Sequence, residues 1–117
     1  MRCGVLIVDD NAGFRTRARE VLESEGFDVV GEAVDGDSAL EASGRLAPDV
    51  VLLDVQLPDV DGFEVAKRLT SNGDGPAVVL ISSREAADFG SLVRSSGARG
   101  FIAKEELSGA RLRALLA

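Results

Sequence analysis

The sequence lacks several residue types that specific chemistries require. It has no histidine, no tryptophan and no tyrosine, and Cys3 is its single cysteine. An internal disulfide and a cysteine-based metal cage are therefore excluded. We predict that Cys3 is a small apolar residue at the opening of the first strand. If a phosphohistidine takes part in the chemistry of this protein, that histidine belongs to a partner.

Long apolar runs are also missing. The longest stretches are strand-sized, such as residues 77–81, whereas a membrane span needs roughly 20 apolar residues. The N-terminus does not have the layout of a signal peptide, so we expect a cytoplasmic protein without membrane contact. Lys and Arg number 13 against 20 Asp and Glu, a formal net charge of −7. This balance predicts that the domain does not itself bind nucleic acid.

The chain is long enough for one compact domain, which we expect to cover residues 1–117. Five short apolar runs alternate with amphipathic segments, and four of them are rich in valine or isoleucine, which favours strands. The runs lie at residues 4–8, 28–33, 49–53, 77–81 and 98–102. Such alternation is typical of an α/β protein whose parallel sheet is covered by helices on both faces.

Helical periodicity places one helix after each strand. The first is predicted to end at Gly26, the second before Pro48, and the fourth to contain a weakening Gly90. The small or apolar residues that define the five helices are Phe14, Ala18, Val21 and Leu22; Ala39, Leu40, Ser43 and Leu46; Val65, Ala66 and Leu69; Phe89, Leu92 and Val93; and Leu107, Ala110, Ala114 and Leu115.

Polar residues suited to chemistry close four of the five strands, and the second strand has none. These residues are Asp9 and Asp10, Asp54, Ser82 and Lys104. The asymmetry favours the strand order 2-1-3-4-5, in which the first and third strands meet where the winding direction reverses. Open α/β sheets bind ligands in that crevice. The predicted fold is therefore a flavodoxin-like, doubly wound three-layer sandwich with a five-stranded parallel sheet and five helices.

Three carboxylates at one edge of a sheet repel one another unless a divalent cation and a lysine neutralise them. Mg²⁺ takes one or two carboxylates and keeps several waters, so an incomplete protein cage suits it; Mn²⁺ is the alternative ion. Asp54 is either a ligand only or also a nucleophile that attacks phosphorus. The alternative to a metal site is a purely structural role, in which Asp9 and Asp10 lie in a solvated turn and Asn11 caps the first helix.

A metal, a lysine and a hydroxyl together surround a transferring phosphoryl group, so the five strand-end residues indicate a metal-dependent phosphoryl site. The loop at residues 57–62 fits a rigid entry to the third helix. In that loop we expect Asp61 near the helix start and Gly62 where the backbone approaches closely. For Asp59 and Asp61 we favour loop and capping roles.

These motifs closely resemble the receiver domain of bacterial two-component response regulators over essentially the whole chain. The resemblance rests on five spaced elements in the same order: Val8-Asp9-Asp10, Leu53-Asp54-Val55-Gln56-Leu57-Pro58, Asp61-Gly62, Ile81-Ser82-Ser83 and Gly100-Phe101-Ile102-Ala103-Lys104. Three positions depart from the commonest pattern. Ser82 replaces a frequent threonine, Phe101 a frequent tyrosine, and Glu105 a frequent proline, which makes a cis peptide there costlier by about 2.5–4 kcal/mol.

The resemblance implies a role for each site residue. It makes Asp54 the phosphoacceptor, Lys104 and Ser82 the groups that hold phosphoryl oxygens, and Phe101 the aromatic switch that turns inward when Ser82 moves. Mg²⁺ would be held directly by Asp10, Asp54 and the Gln56 backbone carbonyl, and through water by Asp9. The side chains of Gln56 and Arg84 would tune the lifetime of the phosphoryl group.

The resemblance also implies partners and an output. A sensor histidine kinase or a histidine phosphotransfer protein would donate the phosphoryl group, and the face made by helix 4, strand 5 and helix 5 would change. That face could support a homodimer, and an effector domain could follow the C-terminus. The domain would phosphorylate and dephosphorylate itself without being a conventional enzyme.

Two other functions compete with this interpretation. One is an aspartate-nucleophile phosphatase of the haloacid dehalogenase type, which Gln56 opposes because that family has a second acid at this position. The other is a receiver-like interaction module that signals without phosphate, which the complete set of site residues opposes.

Overall fold

The computed structural model describes residues 3–71, 73–83 and 90–117. Strands and helices alternate along this chain, as the apolar pattern predicts. The elements are β1 (Gly4–Val8), α1 (Ala12–Ser24), β2 (Asp28–Ala33), α2 (Gly36–Leu46), β3 (Val50–Asp54), α3 (Gly62–Thr70), β4 (Ala77–Ser82), α4 (Ser91–Ser95), β5 (Gly100–Ala103) and α5 (Gly109–Leu116), with a 3-10 turn at Lys104–Glu106.

All strand pairs are parallel, and the sheet order is β2-β1-β3-β4-β5. The predicted fold and strand order are confirmed. β1 and β3 lie side by side with Val8 opposite Leu53, so the next positions along these strands, Asp9 and Asp54, are brought to the same edge. The crevice between two strands whose crossovers leave in opposite directions therefore lies at the acidic strand ends.

The sheet separates two hydrophobic layers. Along β1, Val5 and Ile7 belong to one buried cluster, whereas Leu6 and Val8 belong to the other, as the two-residue period of a strand requires. The first cluster includes Phe14, Ala18 and Leu22 of α1 and Leu112 of α5, and the second includes side chains of α2 and α3. This arrangement is the predicted three-layer sandwich.

Local sequence sets the ends of the helices. The Asn11 side chain caps α1 by accepting a hydrogen bond from the Phe14 amide, and Gly26 follows the helix with φ 95°. α2 ends with Ala47 in the left-handed conformation just before Pro48. No helix in the described residues is long and apolar enough to cross a membrane.

Two details of the predicted helices are wrong. Gly90 is not inside the fourth helix but at the N-cap position of α4, with φ 51°, and Phe89 lies outside the described residues. Of the apolar residues predicted for the fifth helix, Leu107 and Leu115 pack against the first hydrophobic cluster, but Ala110 and Ala114 are exposed, and Leu112, which the prediction did not include, is fully buried. The reason is that apolar residues occupy several sides of this short helix, so its spacing did not reveal the face that packs on the sheet.

Candidate functional site

The three acids at the ends of β1 and β3 converge. Carboxylate oxygens of Asp9, Asp10 and Asp54 lie within 4.8 Å of one another. Asp9 is fully buried and Asp54 is 4% exposed, whereas Asp10 is open to solvent. The inner part of the site is therefore buried, and its outer part, at Asp10, is open to water. A cation that keeps some of its bound water requires such an incomplete set of protein ligands.

Lys104 supplies the balancing positive charge from the end of β5. Its Nζ lies 2.6 Å from Asp9 Oδ2 and 3.3 Å from Asp54 Oδ2. Burial lowers the pKa of Lys104, but the contact with Asp9 and the charges of both carboxylates outweigh burial and raise it above its ordinary value. Lys104 is therefore a fixed cation at neutral pH. The peptide bond that follows it is trans, as are the other described peptide bonds.

The surroundings of Asp54 act on its pKa in opposite directions. Burial and the nearby Asp9 charge raise its pKa, although a hydrogen bond from the Gln56 amide to Oδ1 (3.1 Å) and the Lys104 ammonium lower it. The net result is a pKa above the ordinary value for aspartate. A carboxylate in this state is stabilised by any added cation, because a cation removes the repulsion from Asp9.

The residues present fit a hard divalent cation. One oxygen of Asp9 accepts a hydrogen bond from the Asn11 amide at 2.8 Å. The other, Oδ2, is buried and has the Lys104 ion pair but no hydrogen bond of good geometry within the described part of the chain. The carboxylates of Asp9, Asp10 and Asp54 together make a donor set of oxygen ligands, which suits Mg²⁺ or Mn²⁺ rather than a softer metal.

Backbone hydrogen bonds close the loop between β3 and α3 next to Asp54. The Gly62 amide donates to the Val55 carbonyl at 2.7 Å, and Gln56 pairs with Asp61 across the loop. A Cβ on Gly62 would press against the Asp54 carbonyl and lie 2.8 Å from Val55 Cα. Gly62 therefore allows the close approach that the sequence predicts. The Gln56 side chain is exposed, and its backbone adjoins Asp54.

Ser82 and Phe101 lie on the second hydrophobic layer. Ser82 ends β4 and is 1% exposed, and it pairs in register with Ala103, two residues beyond Phe101 on the neighbouring strand. Phe101 is half-buried and packs against the cluster beneath α2 and α3. The two residues thus occupy the same face of adjacent strands. Arg84 lies outside the described residues.

Two α1 residues contact the site although the sequence did not single them out for it. The Phe14 ring lies with its centroid 4.9 Å from Lys104 Nζ, and Arg15 Nη1 donates to the Asp9 carbonyl at 2.7 Å. Arg15 also holds Glu32 at 2.9 Å, which anchors it to β2. The sequence could have indicated these contacts, because Phe14 and Arg15 lie three and four residues after Asn11. They are therefore one helical turn further along α1, on the side that faces the end of β1.

Comparisons with known proteins agree with this geometry. A sequence model of the family described as "Response regulator receiver domain" matches residues 5–117. BvgA of Bordetella pertussis is 37% identical over 102 residues, which are 87% of this chain and 49% of that protein. The chain thus spans about half the length of BvgA.

A second relative is named as an enzyme, whereas BvgA is named as a transcription regulator. Protein-glutamate methylesterase/protein-glutamine glutaminase 5 of Myxococcus xanthus is 49% identical over 80 residues, 68% of this chain but 23% of that protein. Among solved structures, the signal receiver domain of NarL from Mycobacterium tuberculosis superposes with a TM-score of 0.87 at 34% identity, covering 99% of this chain and 98% of that one.

Proposed function

This chain belongs to the response regulator receiver domain family, and we propose that it is a phosphorylation-controlled signalling switch whose phosphoacceptor is Asp54. Receiver domains bind Mg²⁺ through an acidic pocket, and here the group Asp9, Asp10 and Asp54 could hold the ion. The observation that supports the proposal best is the convergence of these three carboxylates with Lys104, whose ammonium contacts two of them.

In the proposed metal site, Asp10, Asp54 and the Gln56 backbone carbonyl would hold the ion directly, and Asp9 would hold it through water. When bound, the cation neutralises the carboxylates and the phosphoryl oxygens during transfer. Lys104 binds a further phosphoryl oxygen, and the buried floor formed by Asp9 keeps that ammonium directed at the acceptor. The side chains of Gln56 and Arg84 are proposed to set the lifetime of the product.

The proposed reaction is a phosphoryl transfer followed by hydrolysis, and neither step involves an oxidation or a reduction. A carboxylate oxygen of Asp54 attacks the phosphorus of a partner's phosphohistidine, a P–O bond forms as the P–N bond breaks, and the leaving imidazole takes up a proton. Later, water attacks the same phosphorus, the P–O bond to Asp54 breaks, and inorganic phosphate leaves. The domain therefore acts on itself and does not turn over a separate substrate.

We further propose that Ser82 bonds a phosphoryl oxygen and that Phe101 follows it inward. Support comes from their placement on one face of β4 and β5. The movement would alter the surface formed by α4, β5 and α5, which is the proposed face for output and for a homodimer. Two-state elements of this kind respond to a local change in charge.

The proposed partners are a sensor histidine kinase or a histidine phosphotransfer protein, together with an effector joined at the C-terminus. Relatives are named as a transcription regulator and as a methylesterase, so the output differs among proteins that share this domain. The net charge of −7 disfavours direct binding of this domain to nucleic acid. We propose the cytoplasm as its location.

Incubation with Mg²⁺ and a small acyl phosphate tests the proposal. Intact-mass spectrometry should detect one added phosphoryl group on the wild-type domain and none on Asp54→Asn. The matched control is Asp49→Asn, which changes an acid directly before β3, at the opposite end of the strand; this variant should be phosphorylated like wild type. Equal labelling of the Asp54 variant would exclude this residue as the acceptor.

A further inference from the structure

The carboxylate of Asp59 joins the β3–α3 loop to the N-terminus of α2. Asp59 Oδ1 accepts a hydrogen bond from the Gly36 amide at 2.8 Å, and Oδ2 accepts one from the Asp37 amide at 3.0 Å. These bonds, led by the one from Gly36, lower the pKa of Asp59, so that it remains an anion at neutral pH. The first two amides of α2 are thus satisfied by a residue 22 to 23 positions away.

Packing at this junction is close. A Cβ on Gly36 would lie 3.0 Å from Val65 Cγ2 and 3.3 Å from Asp59 Oδ1, and it would overlap Val60. Val60 and Val65 both pack with the second hydrophobic cluster. The loop therefore meets α2 through apolar contact as well as through two hydrogen bonds, and Gly36 provides the space for it.

The same loop forms the wall of the acceptor site. Its base is closed by the bond from the Gly62 amide to the Val55 carbonyl and by the pairing of Gln56 with Asp61. The Gln56 amide donates to Asp54 Oδ1. Asp59 lies between the two closed ends of this loop. Its hydrogen bonds to α2 therefore fix the middle of the loop, while the Gly62–Val55 bond fixes its base.

We propose that Asp59 is a positioning residue, which ties the loop bearing the Gln56 backbone to α2 and so sets the geometry of the metal site at Asp54. The inference rests on the proposed function insofar as the Gln56 carbonyl is a metal ligand. It also makes α2 sensitive to metal occupancy, because coupling between two sites is reciprocal.

Asp35 offers a matched control. It caps the same helix, with its side chain accepting from the Ser38 amide at 2.8 Å, but it precedes α2 and does not belong to the loop. Replacing either acid by alanine removes one charge and the side-chain hydrogen bonds to the start of α2, two for Asp59 and one for Asp35. Only the Asp59 variant releases the loop.

Calorimetric titration of the unphosphorylated domain with MgCl₂ in 1 M KCl, where the Debye length is about 3 Å, separates geometry from charge. Outer-shell support of metal sites is worth roughly 10–100-fold in affinity, and since Asp59 acts through backbone we expect Asp59→Ala to bind Mg²⁺ about 3- to 10-fold more weakly. Asp35→Ala should bind like wild type. Asp59→Asn, which retains one acceptor oxygen, should fall between.

Equal affinities of the Asp59 and Asp35 variants would overturn the inference while the proposed function stands, whereas absence of Mg²⁺ binding by wild type would overturn both. Amide hydrogen exchange gives a readout without phosphoryl transfer. In metal-free protein, Asp59→Ala should speed exchange of the Gln56 and Gly62 amides and Asp35→Ala should not. In wild type, Mg²⁺ should slow exchange of the Gly36 amide; unchanged exchange at saturating Mg²⁺ would also overturn the inference.

Discussion

The Lys104 ammonium lies 2.6 Å from a carboxylate oxygen of Asp9, a side chain with no exposed surface. A buried carboxylate of this kind requires a charged partner or a proton, because desolvation penalises the ion. Lys104 reaches it from β5 and also contacts Asp54. The ion pair therefore joins the first, third and fifth strands at the edge where the proposed chemistry occurs.

Removing the ammonium should destabilise the domain. We expect Lys104→Met to lower the free energy of unfolding by about 1–3 kcal/mol in metal-free buffer, because Asp9 and Asp54 lose their partner. Mg²⁺ should then stabilise the variant more than it stabilises wild type. Urea unfolding with and without Mg²⁺ measures both effects. The control is Lys67→Met, an exposed position on α3, and equal stability of the two variants would contradict this prediction.

The Phe14 ring beside Lys104 should help to fix the ammonium. A cation–π contact contributes about 0.5–1 kcal/mol at an accessible site, so Phe14→Leu should slow phosphorylation by a small acyl phosphate about two- to fivefold. Phe27→Leu is the matched control. It removes a ring from the same cluster, but that ring lies beneath Arg113, so its phosphorylation rate should not change. A similar loss of rate in both variants would point to core packing alone.

Gly62 should not tolerate a side chain. In Gly62→Ala the new Cβ meets backbone of Asp54 and Val55, which cannot move without displacing the Asp54 carboxylate, and we expect a loss of stability of about 1–3 kcal/mol. Gly44→Ala in α2 is the comparison. Nothing lies within 4 Å of its Cβ position, so this change should be neutral or stabilising by up to about 1 kcal/mol. Thermal unfolding of both variants tests the contrast.

The strength of the ion pairs that Glu32 of β2 makes with Arg15 and Arg19 of α1 should depend on pH. Burial raises the pKa of Glu32, but hydrogen bonds from Arg19 and Arg15 outweigh it and hold the pKa below its ordinary 4.5. The folded state therefore favours the ionised form, and this stabilisation is present above pH 4.5 and is lost as the pH falls through the lower folded value. Near neutral pH we expect Glu32→Gln to be less stable by about 0.5–1 kcal/mol. The difference should vanish in acid, and a difference independent of pH would contradict the prediction.

The convergence of Asp9, Asp54 and Lys104 could be predicted from sequence because each of them lies at the C-terminal end of a strand or directly after it. Short continuous apolar runs mark the strands, and parallel pairing then brings Asp9, Asp54 and Lys104 to one edge without knowledge of any helix orientation. The lifetime and switch roles of Gln56, Ser82 and Phe101 remain predictions, since they depend on the phosphorylated state.

Contacts made by helices were less accessible. Which way Phe14 and Arg15 point depends on the rotation of α1 over the sheet, and the bond from Asp59 to α2 depends on a loop conformation. For α5 the spacing missed Leu112 and included the exposed Ala110 and Ala114, because apolar residues occupy several sides of this short helix. Tertiary packing decides these features, and local spacing does not encode it.

Because the sheet gives its two faces separate sets of apolar side chains, we expect a substitution in one layer to repack mainly the side chains of that layer. Phe14, whose ring lies beside the Lys104 ammonium, belongs to the layer under α1 and α5, whereas Phe101 packs in the layer under α2 and α3. The backbone of the sheet therefore separates changes around Phe101 from the cation–π contact next to the three carboxylates.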